Sequence, residues 1–273
     1  MSSKVLQSSP GVSVQDGAPA AMAVLRLVGP DAARFLQGQV TQDVAALPAG
    51  HWTRTALCTA QGRVLALPKV LAVPEGLWLV LPGERVTAVR EHLQRFVLRA
   101  KVKLIADDTL PVRLLAGSGN APAAAGQAFQ PCLGTPEAHV LELSATRRLA
   151  IGVPTETSGA NEVSWPEWLA ACVADGEPEV FNASAESWTP HMLAQDRWQA
   201  ISLTKGCYTG QEIVARTHYL GKNKRHLERV TLPSGALPSP GSALDLPDGR
   251  RGEWVLGVAS ETGVEGLAVT ASP

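Results

Sequence analysis

The order in which apolar periodicity changes between residues 22 and 105 constrains the fold more than any other feature of the chain. Residues 22–28 form an apolar run with β-branched members and read as a strand. Gly29-Pro30-Asp31 then opens a helix through about Val40, with Ala33, Phe35 and Leu36 apolar and proline tolerated in the first turn. Residues 52–58 and 64–73 read as strands around the turn Thr59-Ala60-Gln61-Gly62, and residues 77–81 as a third strand after Pro74-Glu75-Gly76. From Gly83 to Leu98 the period lengthens: Val86, Val89, Leu93, Phe96 and Val97 recur at helical spacing, with Glu84, Arg85, Arg90, Glu91 and Arg95 elsewhere. Residues 101–105 alternate again. Strand, helix, three strands, helix, strand implies an α+β layer with helices packed on a sheet.

The rest of the chain continues this texture and then leaves it. Residues 112–116 read as a strand, and the Gly/Ala/Pro-rich stretch 117–136 as a loop or short helix. Residues 140–143 and 148–153 look like a hairpin. Ser164-Trp165-Pro166-Glu167 fits a helix start, with the helix running to Gly176. Residues 178–190 are irregular. From Leu220 onward short strands at 225–232, 254–259 and 267–270 alternate with Pro/Gly-rich turns, which reads as a small, partly open β-barrel.

A length of 273 residues suggests about two domains and enough chain to bury a core. The formal net charge is −1, which argues against wholesale coating of nucleic acid and leaves room for a local patch. Residues 1–21 are polar and rich in Ser, Gly and Pro, without the apolar core of a signal peptide. They read as a disordered tail on a cytoplasmic protein. The longest apolar runs are far too short to span a membrane. Cys58, Cys132, Cys172 and Cys207 include no C-x-x-C pair and no Cys/His cluster with zinc spacing, so no metal site is expected and reduced thiols fit best. Their spacing also speaks against a self-contained iron–sulfur site.

Chemistry concentrates in Lys205-Gly206-Cys207-Tyr208-Thr209-Gly210-Gln211-Glu212, continued by Ile213-Val214-Ala215-Arg216. Thr209 with Glu212 fits a capping box, and Tyr208 with Ile213 a hydrophobic staple, so much of the stretch serves to start a helix. Capping does not account for Cys207. A thiol beside a helix N-terminus, two residues from Lys205, sits where a thiolate is stabilised; an inert core cysteine is the other reading. His191 or His218 could approach it in space.

Seven of the thirteen aromatic residues are Trp, and four of those lie between Trp165 and Trp198. Their faces suit stacking on a flat ligand, or simply a core. Arg216, Lys222, Lys224, Arg225 and Arg229 form a basic run that either contacts carboxylates, phosphates or RNA, or is a solvated face. Gln37, Gln39 and Asp43 alone read as a polar helix end. The phosphate-cradling G-x-x-x-x-G-K-[ST], G-x-G-x-x-G and the nucleophile motif G-x-S-x-G are all absent.

The run from Lys205 to Glu212, with Ala215-Arg216, Gly221 and Lys224-Arg225, resembles the signature of the YgfZ family, folate-binding relatives of the glycine-cleavage T protein. Phe35-Leu36-Gln37-Gly38-Gln39-Val40-Thr41 with Asp43 resembles the family's N-terminal motif. Cys58 with Gly62-Arg63 resembles the next, and Trp168-Leu169-Ala170, Gly176, Pro178 and Pro190 fit the spacing between. The resemblance covers about residues 22–230, plus a shortened C-terminal module.

The resemblance implies a T-protein-like α+β fold: two interleaved ferredoxin-like layers over residues 22–220 and a small β-barrel module at 221–273, around a channel for tetrahydrofolate. It implies a folate-binding accessory role in iron–sulfur cluster assembly or maintenance, with tRNA-thiolating iron–sulfur enzymes as partners. Cys207 corresponds to the family's essential cysteine, in a set with Lys205, Tyr208 and Glu212. Trp168, Met22, Gln37, Gln39, Asp43 and Arg216 are the implied folate contacts. Three departures stand out. Met22 falls where a second folate-associated tryptophan is expected, and Pro190-His191 and Ala194-Gln195 replace Pro-Gln and Asn-Leu. Val64-Leu65-Ala66 replace the T protein's acidic residues, which removes the obvious group for aminomethyl transfer.

Overall fold

The computed structural model describes residues 22–107, 109–117, 127–135, 138–152, 161–221, 223–233, 235–260 and 263–271. The expected tail at 1–21 lies outside them. The first half runs β1 (Met22–Val28), α1 (Ala32–Gln37), β2 (His51–Arg54), β3 (Leu57–Cys58), β4 (Val64–Ala66), β5 (Lys69–Val73), β6 (Gly76–Pro82), α2 (Gly83–Gln94) and β7 (Lys103–Asp107). Then come β8 (Val112–Ala116), β9 (Gln130–Pro131), β10 (Leu133–Thr135), β11 (Ala138–Glu142), β12 (Arg147–Ile151) and α3 (Trp165–Asp175). The chain finishes with α4 (Gln211–Leu220), β13 (Arg225–Leu232), β14 (Ala243–Asp245), β15 (Arg251–Ser260) and β16 (Gly263–Ala271).

The main sheet has the order β7-β1-β6-β5-β2-β9, and every pairing is antiparallel. Period-two alternation divides its side chains between two cores. Leu25, Leu27, Val70 and Leu79 face α1 and α2, where they meet Phe35, Leu36, Val86, Val89 and Leu93. Met22, Val24, Trp52, Leu71 and Val80 face the other way, into a core shared with α3 and with Val255, Leu256, Leu267 and Val269 of the C-terminal sheet. The second sheet, β10-β11-β12-β8, contributes Leu114, Leu141, Leu149 and Ile151 to that same core. The α+β expectation holds.

Where the sequence predicts α1 to about Val40, the helix ends at Gln37, and residues 38–43 form a turn that the site uses. The helix predicted to Leu98 stops at Gln94, because Leu98 points into solvent, 87% exposed, and adds nothing to the buried face. Within 117–136, residues 118–126 are outside the described residues, while Gln130–Pro131 and Leu133–Thr135 are short strands rather than a loop or helix. The capping box at Ser164 is present: its side chain accepts from Glu167 N–H, and Glu167 returns the bond to Ser164 N–H at 2.8 Å. The C-terminal strands form one antiparallel sheet, β13-β16-β15-β14, with an extra strand at Ala243–Asp245. Its two edges are not paired with each other among the described residues, in keeping with a barrel expected to be partly open: the sheet is a curled half-barrel.

Candidate functional site

The helix of the cysteine motif starts differently from the expectation. Gly210, not Thr209, is the N-cap of α4; it has φ 85° and no side chain caps the helix, so the Thr209/Glu212 capping box is not formed. The reason is steric. A Cβ on Gly210 would stand 2.5 Å from Thr59 O and 3.1 Å from Gly62 Cα, and a Cβ on Gly62 would stand 2.8 Å from Ile213 Cβ. Two glycines with positive φ therefore let the turn after β3 seat directly against the start of α4. Two motifs that lie about 150 residues apart in sequence are thus in contact. Thr209 N–H donates instead to Gly38 O, at 3.1 Å.

Lys205 fastens this segment to the turn after α1. Its side chain is buried, and its Nζ donates to Gln37 O, Val40 O and Gln42 O at 2.6, 2.7 and 2.9 Å. Three donors meet three carbonyls, the full capacity of an ammonium group. Burial lowers its pKa to about 8, with Asp43 acting the other way. Nζ also lies 5.0 Å from the centroid of the buried Tyr208 ring. Burial, with the Cys58 thiol beside it, raises Tyr208 above the usual phenol range. Nearby, Thr41 Oγ1 donates to Ala200 O at 2.6 Å, Ser202 N–H donates to Thr41 O at 3.0 Å, and Gln42 Nε2 donates to Gln199 O. The Lys205 hydrogens are all given to the turn, so what remains for the thiol is the ammonium charge and not a hydrogen bond.

Gln37 and Asp43 likewise hold each other, with Nε2 to Oδ1 at 2.9 Å, and Ala45 N–H donates to Gln37 Oε1 at 3.1 Å. Gln39 Oε1 is buried without a donor among the described residues. Cys207 is exposed and has no hydrogen-bond partner among the described residues. Glu212 and Arg216 are exposed on the first turns of α4. Arg216 lines a cavity of about 550 Å³ with Met192, Ile213, Leu220, Lys224 and Arg225. The His191 and His218 rings face each other at a tilt of 39°, centroids 5.9 Å apart, and burial lowers the pKa of His191. Within the basic run, Arg225 is paired with Glu253 at 2.9 Å, and Lys222 lies outside the described residues.

The implied folate wall is elsewhere. Trp168 and Met22 sit in the central core, with Trp168 at 0% exposure. The Arg147 guanidinium lies 5.3 Å from the Trp168 ring centroid. Arg147 is itself held by Asp175 (2.7 Å), Glu177 (2.5 Å) and Cys172 Sγ (3.1 Å). Arg54 binds Glu177 at 2.7 Å and lies between Trp52 and Trp198, 5.0 and 4.8 Å from their ring centroids. Lys69 binds Glu179 and stands 3.7 Å from Glu177. Burial would raise Glu177, but Arg54, Arg147 and Lys69 hold it well below the carboxylate range; burial raises Glu179.

This tests the fit of tetrahydrofolate. A flat pterin on Trp168 needs a free indole face; here the side chain is fully buried and a guanidinium with three partners lies over one face of the ring. As placed, the residues do not fit a pterin there, and no step is routed through one. Sequence reasoning missed this cluster. Its only trace is the isolated Lys69 in an otherwise apolar strand and the closely spaced Glu177 and Glu179.

Fold and site together define a T-protein-like α+β protein that carries an exposed thiol on a turn built from three sequence motifs. The solved aminomethyltransferase T of the glycine cleavage system from Bartonella henselae shares the fold at TM-score 0.65 and 14% identity, covering 92% of this chain and 76% of that one. The tRNA-modifying proteins YgfZ of Sodalis glossinidius and Klebsiella pneumoniae are each 30% identical, over 83% of this chain and 74% of their own length. That of Edwardsiella ictaluri is 28% identical over 81% and 72%. No family model matches. The chain belongs to the YgfZ family.

Proposed function

We propose that the chain is an accessory protein of iron–sulfur cluster assembly or maintenance that supports tRNA-modifying iron–sulfur enzymes, with Cys207 as its working thiol. One observation carries the reading: Lys205, Tyr208 and Gly210 around Cys207 are committed to building the turn, while the thiol itself is left exposed. Lys205 and Tyr208 are buried, Gly210 is wedged against Thr59, and Cys207 is free. The name these relatives carry, tRNA-modifying protein, supports the tRNA side. Lys205 and Tyr208 act here as positioning residues, and Glu212 and Arg216 flank the thiol on α4. In the same reading residues 22–220 form two interleaved ferredoxin-like layers, with 221–273 as a separate module.

The test is rescue of a bacterial strain lacking its native homologue, read as the fraction of thiolated tRNA. The wild-type chain restores thiolation and Cys207→Ala does not. Full rescue by Cys207→Ala at equal protein level ends the proposal.

Tetrahydrofolate stands apart from the thiol reading. Its support is the fold, and its obstacle is Arg147. Titration against tryptophan fluorescence separates the two: saturable quenching by tetrahydrofolate, abolished by Trp168→Phe, restores the Trp168 face as the ligand wall. The alternative of aminomethyl transfer predicts methylenetetrahydrofolate from an aminomethyl donor. None is expected, because Leu65 and Ala66 are buried apolar residues at the acidic positions.

A further inference from the structure

A second surface, remote in sequence from the cysteine motif, carries a different chemistry. Residues 90–103 read Arg-Glu-His-Leu-Gln-Arg-Phe-Val-Leu-Arg-Ala-Lys-Val-Lys. They run from the last turns of α2 into β7, the outer strand of the main sheet. The stretch holds five cations, Arg90, Arg95, Arg99, Lys101 and Lys103, against one carboxylate, Glu91. All five are exposed, and none is ion-paired among the described residues. Several cations elsewhere are ion-paired: Arg54, Lys69 and Arg147 in the core, Arg26 with Asp107, Arg225 with Glu253 and Arg250 with Glu228.

Large apolar groups lie among these charges. Phe96 is 40% exposed, Leu98 87% and Ile105 39%, three of the seven large apolar side chains exposed among the described residues. Phe96 is propped by His92, ring centroids 5.3 Å apart and tilted by 51°. Between α2 and β7 runs a groove of about 350 Å³, lined by Arg90, Glu91, Gln94, Arg95 and Leu104. That is within the range of pockets that hold a small ligand, about 300–1,000 Å³.

We propose that this face binds a single-stranded or looped segment of RNA, phosphates on the five cations and a splayed base in the groove beside Phe96. The chemistry matches the occupant. Phosphates are held by unpaired Arg and Lys, and unstacked bases by aromatic faces and guanidinium planes. A groove walled by guanidiniums favours a strand over a membrane surface, which would call for a broad apolar face. α2 turns its own apolar face, Val86, Val89 and Leu93, into the core. The inference goes beyond the thiol function, and because RNA binding is read directly, either can fail without the other.

The experiment is fluorescence anisotropy of a labelled, unmodified tRNA transcript between 50 and 200 mM salt. Wild-type affinity is expected to fall steeply with salt, with a log–log slope of roughly 3–4 for five phosphate contacts. The combined variant Arg95→Gln, Arg99→Gln, Lys101→Gln and Lys103→Gln is expected to weaken binding at least tenfold at 50 mM salt and to flatten the slope by about 3. Phe96→Ala should weaken binding to a short single strand about five- to tenfold with the slope unchanged. Lys224→Gln with Arg229→Gln, on the other basic run, should stay within about twofold. All the replaced cations are exposed, and circular dichroism verifies the fold. Three results overturn the proposal: no tRNA binding by the wild type, unchanged binding by the fourfold variant, or loss only in the Lys224/Arg229 variant. A fourth is loss of binding to phosphatidylglycerol vesicles with tRNA binding intact, which identifies the face as a lipid contact.

Discussion

Lys205 at the surface turn and Lys69 in the centre are both buried ammonium groups, and they are satisfied in opposite ways. Lys69 meets carboxylates, Glu179 and, at 3.7 Å, Glu177. Together with Arg54, Arg147 and Asp175 they make a cluster of three cations and three anions that closes on itself. Lys205 meets only neutral carbonyls. Its charge is solvated by dipoles but not cancelled, so its pKa drops to about 8. The first arrangement specifies a core in which charges meet charges, with Glu179 Oε2 left without a hydrogen-bond partner among the described residues. The second spends one residue on fixing a turn and leaves its neighbour, Cys207, free. Buried charge in this molecule therefore marks architecture, and the functional candidate is the group that nothing has claimed.

The sharpest way to break that contrast is to unbalance the cluster. Glu177→Ala strands the buried Arg54 and leaves Arg147 with Asp175 alone, and should cost about 3–5 kcal/mol of stability, measured by urea unfolding. The acid side carries a signature. Glu177 has a folded pKa below its unfolded value, so its stabilisation is complete above about pH 4.3 and is lost as pH falls toward the lower folded value. Glu179, raised by burial, works in the reverse sense: its contribution is present at low pH and is lost as pH rises through its folded value. The variant should lose the Glu177 part of the slope. A cost under 1 kcal/mol would show that the cluster is solvated and not a sealed core.

Lys205→Met probes the other arrangement and should cost less, roughly 2–3 kcal/mol, because neutral carbonyls lose their donors and no charge is left stranded. Here too pH gives the sign. The folded pKa, about 8, lies below the unfolded value of 10.5, so the unfolded state binds more protons between them. The buried thiols, raised by burial from 9.0, lower the stability of both proteins as pH passes about 9, so the sign is read in the difference: wild-type stability minus that of the variant should rise with pH across that window.

The difference between the two regions also explains what the sequence could reveal. The strands and helices that build the main sheet, such as residues 22–28 and the helix from Gly83, follow from local periodicity. The cysteine motif was legible because its parts are contiguous. Even there the local reading went astray: the Thr209/Glu212 spacing fits a capping box, but the cap is Gly210, because the packing partner at Thr59 leaves no room for a side chain. The central cluster was not legible. Arg54, Lys69, Arg147 and Glu177 come from four separate segments, and each looks like an ordinary surface charge until the fold closes. Trp168 shows the same limit. Its place in the family pattern suggests a ligand wall, while one face of its ring is taken by Arg147, whose position no local pattern fixes.

The smallest expected effect on stability separates the regions most cleanly through the four thiols. Cys207→Ser changes an exposed side chain with no partner and should move stability by less than about 0.5 kcal/mol. Labelling of the native protein with iodoacetamide, followed by mass spectrometry, should then order the cysteines by environment. Cys207 is expected to react first. Cys132, half-buried and raised to about 11 by burial, should lag. Cys58 and Cys172, sealed in the core with burial pushing both thiols to about 12, should react only on unfolding. Cys172 is the informative member, since it lies 3.1 Å from an Arg147 nitrogen and would be activated by that charge if water could reach it. Native-state labelling of Cys172 at a rate comparable with Cys207 would mean that the central cluster opens in solution. Arg147 would then be a movable cover over Trp168, and the division between a closed core and a free surface thiol would not hold.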